Sequence, residues 1–198
     1  ETKTLVVACA DDEHVLEAVE LARKENIIVP ILVGNKTKTK EIMEKLKIDY
    51  IKKILKKRLS NSHKGDFGHV FLIAGSEQKM GAAVIASKSC LRSGCGLLTV
   101  SVPKEERFSV FTSIPEAMLH FREEQIDFSK YYSLAIGPGL EQDAAAQKLL
   151  YSTLSKTKYP IVIDADALNI LAKNQDWLIQ LPKNSILTPH LKEFDRLF

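Results

Sequence analysis

The sequence is poor in cysteine, and it has neither a long apolar run nor a large excess of charge of either sign. Three cysteines, Cys9, Cys90 and Cys95, occur in 198 residues. An odd number in apolar surroundings, with no CxxC and no Cys/His cluster, argues against a disulfide framework and against thiolate-bound metal. All three are expected as buried, reduced thiols. No stretch approaches the ~20 apolar residues of a membrane span. The opening ETKTLVVACADDEH lacks the basic start and apolar core of a secretory signal, so the chain is expected to be soluble and cytoplasmic. Lys and Arg number 28 against 25 Asp and Glu, a formal charge of +3, which is small for a nucleic-acid-binding protein. With 45% hydrophobic and 27% charged residues the chain is neither a disordered polymer nor a membrane bundle. Its length suits one domain, or one domain and a fragment. Internal repeats and low-complexity tracts are absent.

What is present is alternation. Thr4 to Ala10 is a short apolar run, and Val15, Leu16, Val19 and Ala22 then recur at helical spacing. Ile27 to Val33 is a second β-branched run closed by Gly34-Asn35, followed by a helix from Thr39 to Ile48 with Ile42, Met43 and Leu46 on one face. The first 48 residues thus read as a βαβα segment. Composition shifts near Asp49, where Ile51-Lys-Lys-Ile-Leu-Lys-Lys-Arg58 begins. Ile51, Ile54 and Leu55 share a face there with the lysines opposite, which predicts a solvated amphipathic helix rather than a nucleic-acid site. Residues 49–63 are read as this helix and a linker.

From His69 the pattern resumes: strands over His69–Ala74, Leu97–Val102, Ser133–Ile136, Tyr159–Ile163 and Ser185–Leu187, and helices over Met80–Arg92, Asp143–Leu154, Ala167–Lys173 and Leu191–Phe198. Apolar strands separated by helices predict an α/β fold with a parallel sheet covered by helices. In such sheets ligands bind beyond the carboxyl ends of the strands, and four strand ends carry suitable residues. Gly75-Ser76 leads through Gly81 and Ala82 into a helix, where glycine admits close approach and free N–H groups suit an anion. Gly137-Pro138-Gly139 also precedes a helix. Asp164-Ala165-Asp166 follows a strand, with one acid expected as helix cap and with both acids and Asn169 directed at one crevice, suited to ribose hydroxyls or magnesium. Thr188-Pro189-His190 is the fourth end, and Thr188 or His190 is alternatively a cap of the last helix. His14 and His120 read as surface residues. Turns of the first two kinds also close βα units that bind nothing.

From about Ile51 onward the chain resembles the ADP- or ATP-dependent NAD(P)H-hydrate dehydratases, ribokinase-like three-layer α/β proteins. The residues that carry the resemblance are HKGDFGHVFLIAGS (63 to 76), MGAAVIASKSCLRSGCGLLTV (80 to 100), PEAM (115 to 118), IGPGL (136 to 140), VIDADALN (162 to 169) and ILTPHLKEFDRL (186 to 197). The resemblance implies repair of a small-molecule substrate, the S-epimer of hydrated NADH or NADPH, with ADP or ATP and Mg2+. A nucleotide phosphorylates the ring hydroxyl and phosphate then leaves, which replaces a poor leaving group by a good one. It assigns substrate contacts to Ala82, Gly137, Gly139 and His190, with Asp166 and Asn169 beside them, while the strand-end turn of Gly75, Ser76 and Gly81 is read as phosphate-adjacent. No metal ligand is assigned, no nucleic-acid or membrane partner is implied, and a homo-oligomer is left open.

Two departures qualify the resemblance. Where the family usually reads GPGLG this chain has Glu141 in the last position, an acid expected to repel a phosphate-bearing ligand unless it points to water. The family's nucleotide-binding lysine segment and the glycine-rich motif with its catalytic aspartate lie beyond Phe198. Residues 64–198 are therefore expected to be the front portion of a dehydratase domain, truncated at its C-terminus, with little activity alone, and an inactive nucleotide-binding module is a rival reading. Residues 1–48 resemble instead the N-terminal segment of phosphate acetyl- or butyryltransferases, which makes such an acyltransferase the other rival.

Overall fold

The computed structural model describes residues 3–8, 13–25, 28–33, 35–45 and 60–198. Cys9, Leu46, the composition boundary near Asp49 and the basic stretch 51–58 lie outside them. The chain divides into two compact units, residues 1–62 and 63–198.

The first unit holds a strand β1 (Lys3–Ala8), a helix α1 (Glu13–Lys24), a strand β2 (Ile28–Val33) and a helix α2 (Lys36–Lys45). β1 and β2 pair in parallel, Lys3 opposite Ile28 through Ala8 opposite Val33. A helical crossover is what joins parallel neighbours, and α1 buries Leu16 and Val19. The Asn35 side chain accepts from the N–H groups of Thr37 and Lys38 and so caps α2.

The second unit is a six-stranded, wholly parallel sheet. Its strands are β3 (His69–Ile73), β4 (Leu97–Val102), β5 (Met118–Phe121), β6 (Ser133–Ile136), β7 (Ile161–Ile163) and β8 (Ile186–Leu187), in the spatial order β5-β4-β3-β6-β7-β8. The helices are α3 (Met80–Arg92), α4 (Arg107–Ser113), α5 (Ala144–Lys156), α6 (Asp166–Lys173) and α7 (Leu191–Leu197). Strand alternation divides the core between the two faces. Phe71 and Ile73 join the cluster of Leu150, Leu154, Ile170 and Leu171, whereas Leu72 and Ala74 join that of Ala83, Val100 and Val110. Among the described residues no helix is long and apolar enough to cross a membrane.

Three expectations fail here. His120 is 9% exposed rather than a surface residue. It sits on β5, a strand of only four residues, where its Nδ1 lies 3.2 Å from Ser101 Oγ and its ring meets Phe71 edge-on. Cys90 and Cys95 are free but only half-buried, with their sulfurs 3.5 Å apart at the end of α3. Burial and the neighbouring sulfur push the Cys90 thiol up to about 12. The acid expected to cap α6 does not do so: the capping position is Ala165, with φ of 50°.

Candidate functional site

The carboxyl ends of four strands lie level. The register sets Ile73 beside Ile136, Ile136 beside Ile163 and Ile163 beside Leu187, so the segments that follow them form one rim. The strand order also reverses direction between β3 and β6: the chain proceeds from β3 to β4 and β5 on one side and from β6 to β7 and β8 on the other. In open α/β sheets this switch point is where a crevice opens.

The switch is built from backbone held at short range. The Gly75 N–H donates to the Pro138 carbonyl at 2.8 Å, and the Gly137 N–H to that of Ile73 at 3.1 Å. Gly137 has φ of 135°, and a Cβ there would lie 1.8 Å from the Asp164 carbonyl oxygen. Gly139 has φ of 66°, and its missing Cβ would lie 2.8 Å from both the Ala82 Cβ and the Lys79 carbonyl oxygen. Both positions therefore require glycine. Gly81 is different, with open space where its Cβ would be. Ser76 is nearly buried and donates to Glu141 Oε1 at 3.4 Å. No side chain caps the start of α3, whereas Asp143 accepts from the Ala146 N–H at 2.8 Å to cap α5.

Lys79 crosses this rim. Its Nζ lies 3.1 Å from Glu141 Oε2 and donates to Asp166 Oδ2 at 3.2 Å, which joins the segments after β3, β6 and β7. The Glu141 hydrogen bond, with Asp166 after it, raises the lysine's pKa against a smaller opposing effect of burial. Asp166 also accepts from the Glu141 N–H at 3.0 Å and from Gln142 Nε2 at 3.4 Å. Glu141 has φ of 67°, the left-handed region that glycine occupies without cost. Its side chain, 37% exposed, does not stand free in water but contacts Lys79 and Ser76.

A cavity of about 760 Å³ opens beside the switch, lined among others by Ser76, Glu77, Glu141, Asp143 and Lys148. Arg122, which follows β5, is also in its wall. The Arg122 Nη2 donates to the carbonyls of Ala74, at 3.0 Å, and of Gly75, while Nε is buried without a partner. Burial lowers its pKa to about 10, against the opposing charges of Glu123 and Asp143, so the guanidinium stays protonated at neutral pH. Nothing in the sequence pattern marks Arg122, because nothing in it marks β5. The rule that strand ends carry function would have found it had MLHF been recognised as a strand.

The contacts bring Gly75, Ser76, Ala82, Gly137, Gly139 and Asp166 together, and they engage Asn169 and His190 elsewhere. Asn169 does not turn to the crevice as expected: its Nδ2 donates to the Ala165 carbonyl, and its Oδ1 accepts from Arg196 Nη1 at 2.6 Å. The positive φ of Ala165 breaks the strand alternation from which a shared direction for Asp164 and Asp166 follows. His190 caps α7, its Nδ1 accepting from the N–H groups of Lys192 and Glu193 at 3.1 and 3.3 Å, and Glu193 Oε2 in turn accepts from the His190 N–H. Its side chain is 63% exposed, with Nε2 3.5 Å from Glu193 Oε1, so the cap leaves much of it accessible. Among the described residues no group of three His, Cys, Asp or Glu side chains is placed to hold a metal.

The model of the family described as NAD(P)H-hydrate dehydratase matches residues 70–198. An ADP-dependent (S)-NAD(P)H-hydrate dehydratase of Streptococcus thermophilus is 37% identical over 157 residues, covering 75% of this chain and 55% of that protein. The crystal structure of an ADP/ATP-dependent NAD(P)H-hydrate dehydratase from Bacillus subtilis, co-crystallised with ATP and Mg2+, superposes with a TM-score of 0.60 at 32% identity, over 72% of this chain and 51% of that one. A ribokinase-like superfamily protein from Enterococcus faecalis superposes with a TM-score of 0.64 at 32% identity, over 72% and 52%. The chain spans about half the length of the curated relatives it matches.

Proposed function

Residues 63–198 are a ribokinase-like α/β unit and the chain belongs to the NAD(P)H-hydrate dehydratase family; on that premise we propose that it takes part in nicotinamide-nucleotide repair, the nucleotide-dependent dehydration of the S-epimer of hydrated NADH or NADPH. One observation carries this reading: the strand-end motifs of the family resemblance fold onto one level rim at the switch point of the sheet. The family match favours it over the phosphate acetyl- or butyryltransferase reading. On this proposal residues 64–198 are the front portion of the dehydratase domain, residues 1–48 an attached βαβα segment, residues 49–63 the junction, and the protein acts in the cytoplasm.

The chemistry asks the rim to bind two phosphate-bearing molecules and to orient one hydroxyl. The terminal phosphoryl group of ADP or ATP passes to the ring hydroxyl, the carbon–oxygen bond then breaks with departure of phosphate, and loss of a ring proton restores the dihydronicotinamide. Gly137 and Gly139 keep the backbone low enough for a ligand to lie against Ala82. Gly75, Ser76 and Gly81 frame the uncapped start of α3, whose free N–H groups suit a phosphate oxygen. Asp166 faces the same place as a hydroxyl acceptor, Asn169 holds the start of α6 through the Ala165 carbonyl and Arg196, and the exposed ring of His190 borders the ligand from the β8 end. Magnesium would help by neutralising phosphate charge. The carboxylates present do not form a cage for it, because Asp166 and Glu141 are both committed to Lys79, so the ion would arrive with the nucleotide.

A coupled assay with hydrated NADH and ADP or ATP tests the proposal. Recovery of NADH absorbance that depends on added nucleotide is the expected result. Formation of acetyl or butyryl phosphate from the acyl-CoA overturns it in favour of the acyltransferase, and binding of nucleotide without turnover in favour of an inactive module.

A further inference from the structure

Lys79 is in an unusual position for an exposed lysine. Its backbone and Cβ form the wall against which Gly139 is packed, and its ammonium spans the ends of three neighbouring strands. The side chain is 43% exposed, that of Glu141 37% and that of Asp166 14%. The two bonds are therefore unequal. Asp166 is the inner partner, held in place by the Glu141 N–H and Gln142 Nε2. Glu141 is the outer partner, and an exposed ion pair is easily exchanged for another anion. Glu141 also adopts a left-handed backbone that costs a side-chain-bearing residue and costs glycine nothing. Its carboxylate has one strong interaction to set against that cost, the contact with Lys79.

The electrostatics point the same way. One ammonium between two carboxylates leaves a net negative charge at the mouth of the crevice, which opposes an incoming phosphate. If Glu141 swings away, Lys79 and Asp166 alone are neutral, and the lysine has donors to spare, since an ammonium carries three. Rotation of the Glu141 side chain thus converts a closed, anion-repelling rim into an open, anion-accepting one without moving a strand.

We propose that Lys79 is a ligand-binding cation held in reserve: Glu141 and Asp166 strap it across the rim in the free protein, and the phosphate of a nucleotide replaces Glu141 as its partner on binding. Glu141 is then a specificity device, not a binding residue, which sets how much negative charge a ligand must bring before the strap opens. The inference rests on reading the rim as a nucleotide site, and two probes separate its failure from the failure of that reading.

The probes are NADPH, followed by its fluorescence, and inorganic pyrophosphate, followed by calorimetry. Lys79→Met is expected to weaken binding of both by about tenfold or more, and Glu141→Gln, which frees the lysine, to tighten both by about threefold or more. The double variant should bind no more tightly than Lys79→Met alone. Lys79→Arg keeps the charge and should stay within about twofold of the parent, which preserves the test should Lys79→Met fail to fold. Unchanged affinity of Lys79→Met for both probes overturns the proposal, as does weakening by Glu141→Gln equal to that of Lys79→Met. The expected pattern with pyrophosphate but no binding of NADPH sustains the strap and removes the nicotinamide assignment. Binding of neither probe by the parent chain overturns both.

Discussion

The two ends of the rim hold their shape by different means. At the switch, β3, β6 and β7 are joined by groups from different parts of the chain: Gly75 to Pro138, Lys79 to Glu141 and Asp166, and Arg122 to Ala74 and Gly75. Beyond β8, whose end Thr188 ties to the Ile163 carbonyl, the pattern is local, with His190 and Glu193 capping the helix they begin. Asn169 is intermediate, bonded within α6 and to Arg196 of α7. A segment fixed by its neighbours in space keeps its shape only while all of them are in place. A self-capped segment can be altered without disturbing the next strand. The comparison predicts large, non-local effects at the switch and small, separable ones at β8 and at the open side of α3.

Gly137→Ala should produce the largest effect. The new Cβ would fall 1.8 Å from the Asp164 carbonyl oxygen at a φ of 135°, so β6 and β7 must separate at their ends. A loss of about 3 kcal/mol or more is expected, read from the urea midpoint. A loss below about 1 kcal/mol would show that the switch yields far more readily than its contacts suggest.

Arg122→Met should rank second. It removes the Nη2 donor from two carbonyls at the end of β3, and hydrogen bonds from a charged donor contribute about 1.5–3 kcal/mol. Relief of a buried, partly unpartnered cation offsets some of this, so a net loss of about 1–2 kcal/mol is expected from the same measurement. Protection of the amides of residues 75–79 from hydrogen exchange should fall more than that of residues 188–194. Equal loss in both segments would erase the distinction between a cross-linked and a self-capped end.

What was legible in the sequence follows the same division. Strand alternation and helical spacing gave β3, β4, β6, α3, α5 and α6 closely, because apolar periodicity is a local signal. Gly137 and Gly139 stood out because backbone crowding leaves a residue type behind. β5 has four residues and its bounding turns, at 115–116 and 122–123, carry no glycine or asparagine, so neither Arg122 nor the burial of His120 is marked in the sequence. The Lys79 contacts join residues 62 and 87 positions apart, and nothing in the spacing of one charge reveals its partner. Ala165 illustrates another limit: an alanine with positive φ is set by tertiary fit against the Gly137 turn, against its own preference.

His190 tests whether the self-capped end also meets ligand. His190→Ala should lose about 1 kcal/mol through the cap alone, whereas His190→Asn restores a good capping residue and with it most of the stability. On the proposed function His190→Asn should nevertheless bind NADPH about tenfold more weakly by calorimetry. Restoration of both stability and binding would leave His190 as a cap and nothing more.

Gly81→Ala should have the smallest effect and the opposite sign. No atom lies within 4 Å of its missing Cβ, and it is the second residue of α3, where alanine is favoured over glycine by up to about 1 kcal/mol. Position near the helix end reduces this, so a gain of about 0.5 kcal/mol is expected, measured as a rise in Tm. The protein's own packing therefore gives no reason for glycine at 81, in contrast to 137 and 139. The proposed role supplies one: a methyl group in that open space would stand where a phosphate meets the free N–H groups of α3. Weaker pyrophosphate binding with a higher Tm would establish that Gly81 serves the ligand at the expense of the helix. A higher Tm with unchanged binding would remove Gly81 from the site and leave the ligand at the Gly137–Gly139 side of the switch.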